Sequence, residues 1–196
     1  MLRKQIVIQA VGESVIPLLG FFWFNWDLYF IALFYLLDLL VTEVFYQLKL
    51  SKIAQFQKQS IPHLRRFQSA GFALAILGMS HVMLHMMYPE LYFGKEFIAF
   101  LAYEEAGIPI PQGIILLPLV VLGNYQQYKL FFLVPQRFRE IAWQVLLSSR
   151  KRALVLAIAA LILFSALLWK VMLPEILVLL AFVVGKFWID LQRSVN

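Results

Sequence analysis

The sequence predicts an all-α fold, a polytopic bundle of about six transmembrane helices with amphipathic helices at the interface. Three observations carry this expectation. The chain of 196 residues is 62% hydrophobic and only 14% charged, where a soluble domain is nearer half apolar and about a quarter charged. Its mean hydropathy is +0.80, an apolar excess too large for one soluble core of this size. The apolar residues also gather in stretches of about 20, the length a helix needs to cross a hydrocarbon core of ~30 Å.

Six stretches meet that length, in order Gln5–Phe24, Asp27–Leu48, Gln68–Tyr88, Ile108–Tyr128, Ala153–Trp169 and Leu173–Ile189. The N-terminal stretch has basic residues before an apolar run, as a signal peptide does. Glu13 interrupts that run and no clean small-x-small cleavage site follows, so it reads as a retained first span. Only Asn25 and Trp26 join the first two spans, which makes them an antiparallel hairpin. Pro17 and Pro118 fall inside spans, where they kink or unwind a helix. Pro174 falls near the start of the last span, where its missing N–H is harmless.

Threading these spans places 15 of the 17 Lys and Arg residues on one side, with Lys95 and Lys170 on the other. The positive-inside rule then sets both termini in the cytoplasm. The net charge of +6 accordingly reads as orientation and attraction to anionic lipid, and not as a nucleic-acid surface. Two connections are amphipathic. Gln136–Ser149 gathers Phe138, Ile141, Ala142, Val145 and Leu146 on one helical face, so a cytoplasmic surface helix is expected there. The outer connection Pro89–Gly107 holds a second such stretch, "FGKEFIAFLAYEEAG". No repeat, low-complexity tract or linker divides the chain, so residues 1–196 read as a single integral membrane domain.

Ionisable residues inside spans mark candidate sites, because each costs about 3 kcal/mol on insertion scales and faces the bundle interior or water. Asp38 lies near the middle of the second span. Asp27, Tyr35, Asp38, Thr42 and Tyr46 share one broad face and form a polar stripe along it. Glu43 is rotated away from Asp38, which excludes a carboxylate dyad. Glu13, Glu43 and Lys186 lie at similar depth on three spans and form a candidate buried charge cluster. These groups serve either as hydrogen-bonded glue between helices or as a path or site for protons, ions or a polar solute.

His81 and His85, four residues apart, have the spacing of a two-histidine metal arm. A third ligand has to come from another helix, with Asp38 or Asp27 available, and hydrogen-bonded packing histidines are the plainer reading. Met79, Met83, Met86 and Met87 suggest copper or, more simply, apolar filler. Asn124, Gln126 and Gln127 end the fourth span and read as headgroup-level polarity. With no cysteine, thiolate catalysis, disulfides and Cys-ligated metals are excluded. No Gly-rich phosphate loop, G-x-S-x-G elbow or H-E-x-x-H is present. No cofactor is therefore called for beyond a metal at His81 and His85.

The order of features resembles an uncharacterised family of prokaryotic multi-pass integral membrane proteins, a domain of unknown function. The matching residues are Ile16-Pro17-Leu18 with Gly20, Trp26-Asp27, Tyr35 to Asp38, and Lys186 followed by Asp190-Leu191. The family acid falls on Asp38. The chain departs from the family in offering only His81 and His85 in its third segment, and Gly123 to Tyr128 in place of a terminal histidine. The resemblance implies a bacterial cytoplasmic (inner) membrane and brings no activity with it. The expected function is that of an integral membrane protein without its own catalysis, an accessory or structural subunit. Its partners are lipids and other membrane subunits or copies of itself. A small transporter or channel, and then a membrane metalloenzyme, are the alternatives.

Overall fold

The computed structural model describes residues 2–24, 26–90, 92–102, 112–170 and 174–195. The architecture is all helical, with no strand among the described residues. Seven α-helices run in chain order: α1 Leu2–Trp23, α2 Leu28–Gln57, α3 His63–Met87, α4 Phe93–Ala102, α5 Gln112–Tyr128, α6 Trp143–Lys170 and α7 Glu175–Val195. Apart from the end residues Phe24, Asp27, Tyr88 and Pro174, the described part of each of the six expected stretches is helical. Two helices, α2 and α3, are long and apolar enough to cross a membrane by length and composition.

The α1–α2 hairpin closes on a specific contact. The Trp26 N–H donates to the Gly20 carbonyl at 2.9 Å, and the indole lies against Gly20 where any Cβ would overlap the ring. Only glycine permits that approach. Asp27 then caps α2, its Oδ1 accepting from the Phe30 N–H at 2.6 Å, which satisfies one of the free donors of a first helical turn.

Helix α2 is the axis of the bundle and touches α1, α3, α4, α5, α6 and α7. Leu28, Tyr29 and Ile31 to Leu36 on it are buried on every side. The helix continues well past the expected end at Leu48, to Gln57, and stops where Lys58 turns left-handed at φ 51°. Its 30 residues make it about 45 Å long at 1.5 Å per residue. The extra turns are stabilised by a second apolar cluster, in which Tyr46, Leu50 and Ile53 meet Phe132, Trp143 and Leu147.

That cluster also corrects the expected surface helix at Gln136–Ser149. α5 ends in a π-helical turn, Lys129–Leu133, followed by a 3-10 turn at Arg137–Arg139. α6 begins only at Trp143 and runs without interruption to Lys170. Phe138 turns inward onto Phe56 and Phe132, with centroids 5.2 and 6.1 Å away. The Gln57 side-chain amide donates to the carbonyls of Phe138 and Ile141, at 3.2 and 3.0 Å. The break is thus held by groups from α2 that no local pattern reports. The outer amphipathic stretch is helical over α4 and buries Phe100 against Phe30, 4.5 Å between centroids. Its remainder, from Tyr103 on, lies outside the described residues.

Candidate functional site

Two acids of α2, Asp38 and Glu43, anchor two separate polar clusters. Asp38 and Glu43 are five positions apart, about 140° around a helix of 3.6 residues per turn, so each faces different neighbours.

The first cluster joins α2, α5 and α7. Asp38 Oδ2 lies 3.0 Å from Lys186 Nζ, with both side chains largely buried. Asn124 Nδ2 donates to Asp38 Oδ1 at 3.0 Å and to its own helix at the Val120 carbonyl. Thr42 Oγ1 donates to Asn124 Oδ1 at 2.9 Å. A carboxylate paired with an ammonium and an amide, with a hydroxyl behind the amide, is a charge-neutral knot. Charge-assisted bonds of this kind are the stronger class.

The second cluster joins α2, α3 and α6 nearer the Gln57 end. Arg150 Nη2 and Nε approach Glu43 Oε2 at 3.3 and 3.4 Å. Glu43 Oε1 accepts from Ser69 Oγ at 2.5 Å and from Gln47 Nε2 at 2.8 Å. Gln47 and Ser51 carry the network on to Arg66, whose guanidinium donates to both. The Arg150 guanidinium also stands 5.7 Å from the Tyr46 ring centroid, within reach of a cation–π attraction.

The sequence expectations divide along these lines. Lys186 reaches Asp38, so the expected pairing of Lys186 with Glu43 is replaced by Arg150. The Glu13 side chain lies outside the described residues. The expected stripe does not converge on one site. Asp27 is a helix cap, Tyr35 and Asp38 face one cavity, Thr42 supports Asn124, and Tyr46 belongs to the Glu43 cluster. Asn124 was expected at a headgroup layer and is instead buried and bonded to Asp38. Arg150 was counted as a surface charge and is 6% exposed. It precedes the expected span start at Ala153, so only its lying inside the longer helix Trp143–Lys170 reveals it.

His81 and His85 stack with centroids 6.4 Å apart. His81 Nδ1 shares a 3.3 Å hydrogen bond with Tyr29 Oη. Neither Asp27 nor Asp38 completes a metal site with them, and no group of three His, Asp or Glu able to hold a metal occurs among the described residues. The four methionines do not converge either, since Met83 is fully buried and Met86 exposed.

A cavity of about 200 Å³ lies between α2, α3, α6 and α7. Its wall is almost wholly apolar, and Tyr35, Asp38, Ser80 and Lys186 are its polar members. Three further lining residues, Ala160, Ala181 and Gly185, are themselves exposed. The cavity therefore opens to the outside between α6 and α7, past residues with little or no side chain. No protein-family model, curated protein or solved structure matches this chain.

Proposed function

We propose that the chain is a six-span membrane protein with both termini cytoplasmic, without its own catalysis. It works as an accessory or structural subunit that holds partner membrane proteins or lipids against its outer faces. The observation that carries this reading is the pairing of the interior charges within the chain, Asp38 with Lys186 and Glu43 with Arg150. Groups held in neutral, hydrogen-bonded pairs between helices fix a bundle's register.

The outer faces supply the other half of the argument. Ile162, Leu163 and Leu167 on α6, Leu177, Leu180 and Val184 on α7, and Leu119 and Leu122 on α5 are all exposed. Apolar surface this continuous marks a membrane or partner contact. Lys49, Lys52 and Arg139 lie over the rings of Phe132, Phe138 and Phe56, a basic and aromatic collar suited to a headgroup layer.

Native mass spectrometry of the chain extracted gently from its own membrane tests the subunit reading. A reproducible assembly with other membrane proteins is the expected result. A lone monomer that turns over substrate or carries flux by itself overturns it. A second reading, a small carrier for protons, ions or a polar solute, is favoured by the cavity that reaches Asp38 and Lys186. Flux in proteoliposomes that is unchanged by Asp38→Asn removes that reading.

A further inference from the structure

We infer that the cavity between α2, α3, α6 and α7 binds the end of a fatty acyl chain, which enters from the hydrocarbon side between α6 and α7. Size sets the first limit. An apolar cavity of ~150 Å³ accommodates benzene. At the same packing, about 200 Å³ takes roughly eight carbons of a chain and excludes a whole lipid. Chemistry sets the second limit. The wall is almost wholly apolar, and Ile76 and Met83 of α3, both buried, belong to it. Asp38 and Lys186, two of its few polar members, pair with each other. A charged headgroup entering beside that pair adds an uncompensated charge in a low-dielectric interior, which is strongly unfavourable. A hydrocarbon chain asks for no hydrogen bond, and burial of its apolar surface carries the binding.

The mouth sets the route. Ala160, Ala181 and Gly185 line the cavity and are exposed, and a Cβ added at Gly185 meets nothing within 4 Å. Residues three and four positions away share a helical face. At those positions Ala160 has Leu156 and Leu163, and Ala181 has Leu177 and Val184, all exposed. The mouth therefore opens onto apolar surface. Depth selects the end of the chain. Ala160 and Ala181 fall near the middle of the expected spans Ala153–Trp169 and Leu173–Ile189. In the proposed six-span arrangement the mouth is then about half of a ~30 Å hydrocarbon core from either face. Acyl chains finish at that depth, and headgroups do not reach it.

The inference rests on the membrane reading for the source of its ligand, and the experiment separates the two. The full chain is reconstituted in phosphatidylcholine nanodiscs doped with phosphatidylcholine that carries a diazirine at the end of one acyl chain. After irradiation, labelled residues are read by peptide mass spectrometry. Labels on buried Ile76 and Met83 are expected, beside those on exposed Leu163 and Val184. The same lipid with its diazirine next to the chain's carbonyl is expected to leave Ile76 and Met83 unlabelled. Gly185→Leu narrows the mouth and is expected to remove the inner labels, while those on Leu163 and Val184 persist and report a folded, inserted chain. Ala181→Leu repeats the test at a second exposed position, and Leu177→Ala keeps the inner labels. Labels confined to outward-facing residues overturn the proposal and leave the membrane reading standing. Equal inner labelling by the two lipids, or inner labels indifferent to both mouth variants, does the same. A chain that stays in solution and takes up no lipid overturns the membrane reading, and the proposal with it.

Discussion

Asp38 on α2 and Lys186 on α7 form an ion pair of 3.0 Å between two helices far apart in sequence. Asp38 lies about 15 Å along its helix from Leu28, and Lys186 about 16 Å along its own from Glu175, at 1.5 Å per residue. In the proposed six-span arrangement that distance is half of a ~30 Å hydrocarbon core. Lys186 is the interior partner of an acid, which answers why so apolar a helix carries Asp38.

Removing one member of this pair is the first test. Lys186→Leu leaves the Asp38 carboxylate without that counter-charge and is expected to destabilise the fold by about 3–5 kcal/mol. The double variant Asp38→Leu with Lys186→Leu recovers most of the loss, because apolar side chains in a buried pair's place are often neutral or stabilising. Thermal or denaturant unfolding in micelles of the two single variants and the double closes the cycle. A double variant no better than the worse single variant contradicts the pairing.

Asn124 joins Asp38 to Thr42, and its removal has a graded cost. Asn124→Leu is expected to destabilise by about 1–3 kcal/mol, the range for leaving buried polar partners unsatisfied. Thr42→Val, which loses only the hydroxyl behind the amide, costs about 1 kcal/mol. The two effects are non-additive, since the residues share one network. Additive losses in unfolding measurements count against the chain of bonds.

The helical stretches and the interior acids of α2 were legible because they depend on local composition and on period. Partner choice was not. Asp38 selects Lys186 and Asn124, and Glu43 selects Arg150 and Ser69, through contacts between helices distant in sequence. Asn124 and Arg150 were hidden by their neighbours, Gln126 and Gln127 in one case and Lys151 and Arg152 in the other, which look like headgroup-level residues. The continuous surface helix expected at Gln136–Ser149 failed for a related reason. Its apolar period is real, yet Phe138 serves the cluster on α2 and Trp143 starts a new helix.

The second cluster makes its own prediction. Glu43→Gln keeps an acceptor for Ser69 but removes the charge facing Arg150. Double-mutant cycles with Arg150→Met in unfolding measurements are expected to give a coupling of about 1–3 kcal/mol between positions 43 and 150. The same cycle between positions 38 and 150 gives nearly none, because Asp38 belongs to the other knot.

The α1–α2 hairpin depends on Gly20. Gly20→Val drives a side chain into the Trp26 ring, and the ring cannot yield without losing its packing on Phe30 and Phe34. Overpacking of this sort costs about 1–3 kcal/mol. Unfolding in micelles measures it, and the Trp26 indole, now buried, becomes more accessible to an aqueous fluorescence quencher. Gly71→Val, where an added Cβ meets nothing within 4 Å, is the matched control and changes neither.

The threading is open to direct test because the chain contains no cysteine, so single substitutions report position without background. Ser60, Glu90 and Glu140 are exposed and lie in connections between helices. If six spans leave both termini in the cytoplasm, Glu90→Cys is labelled by a membrane-impermeant maleimide in intact cells. Ser60→Cys and Glu140→Cys are labelled only after the membrane is opened. Labelling of all three in intact cells or of none, with normal expression, excludes that arrangement. Labelling at Ser60 and Glu140 but not at Glu90 inverts it, and would place the collar of Lys49, Lys52 and Arg139 against the positive-inside rule.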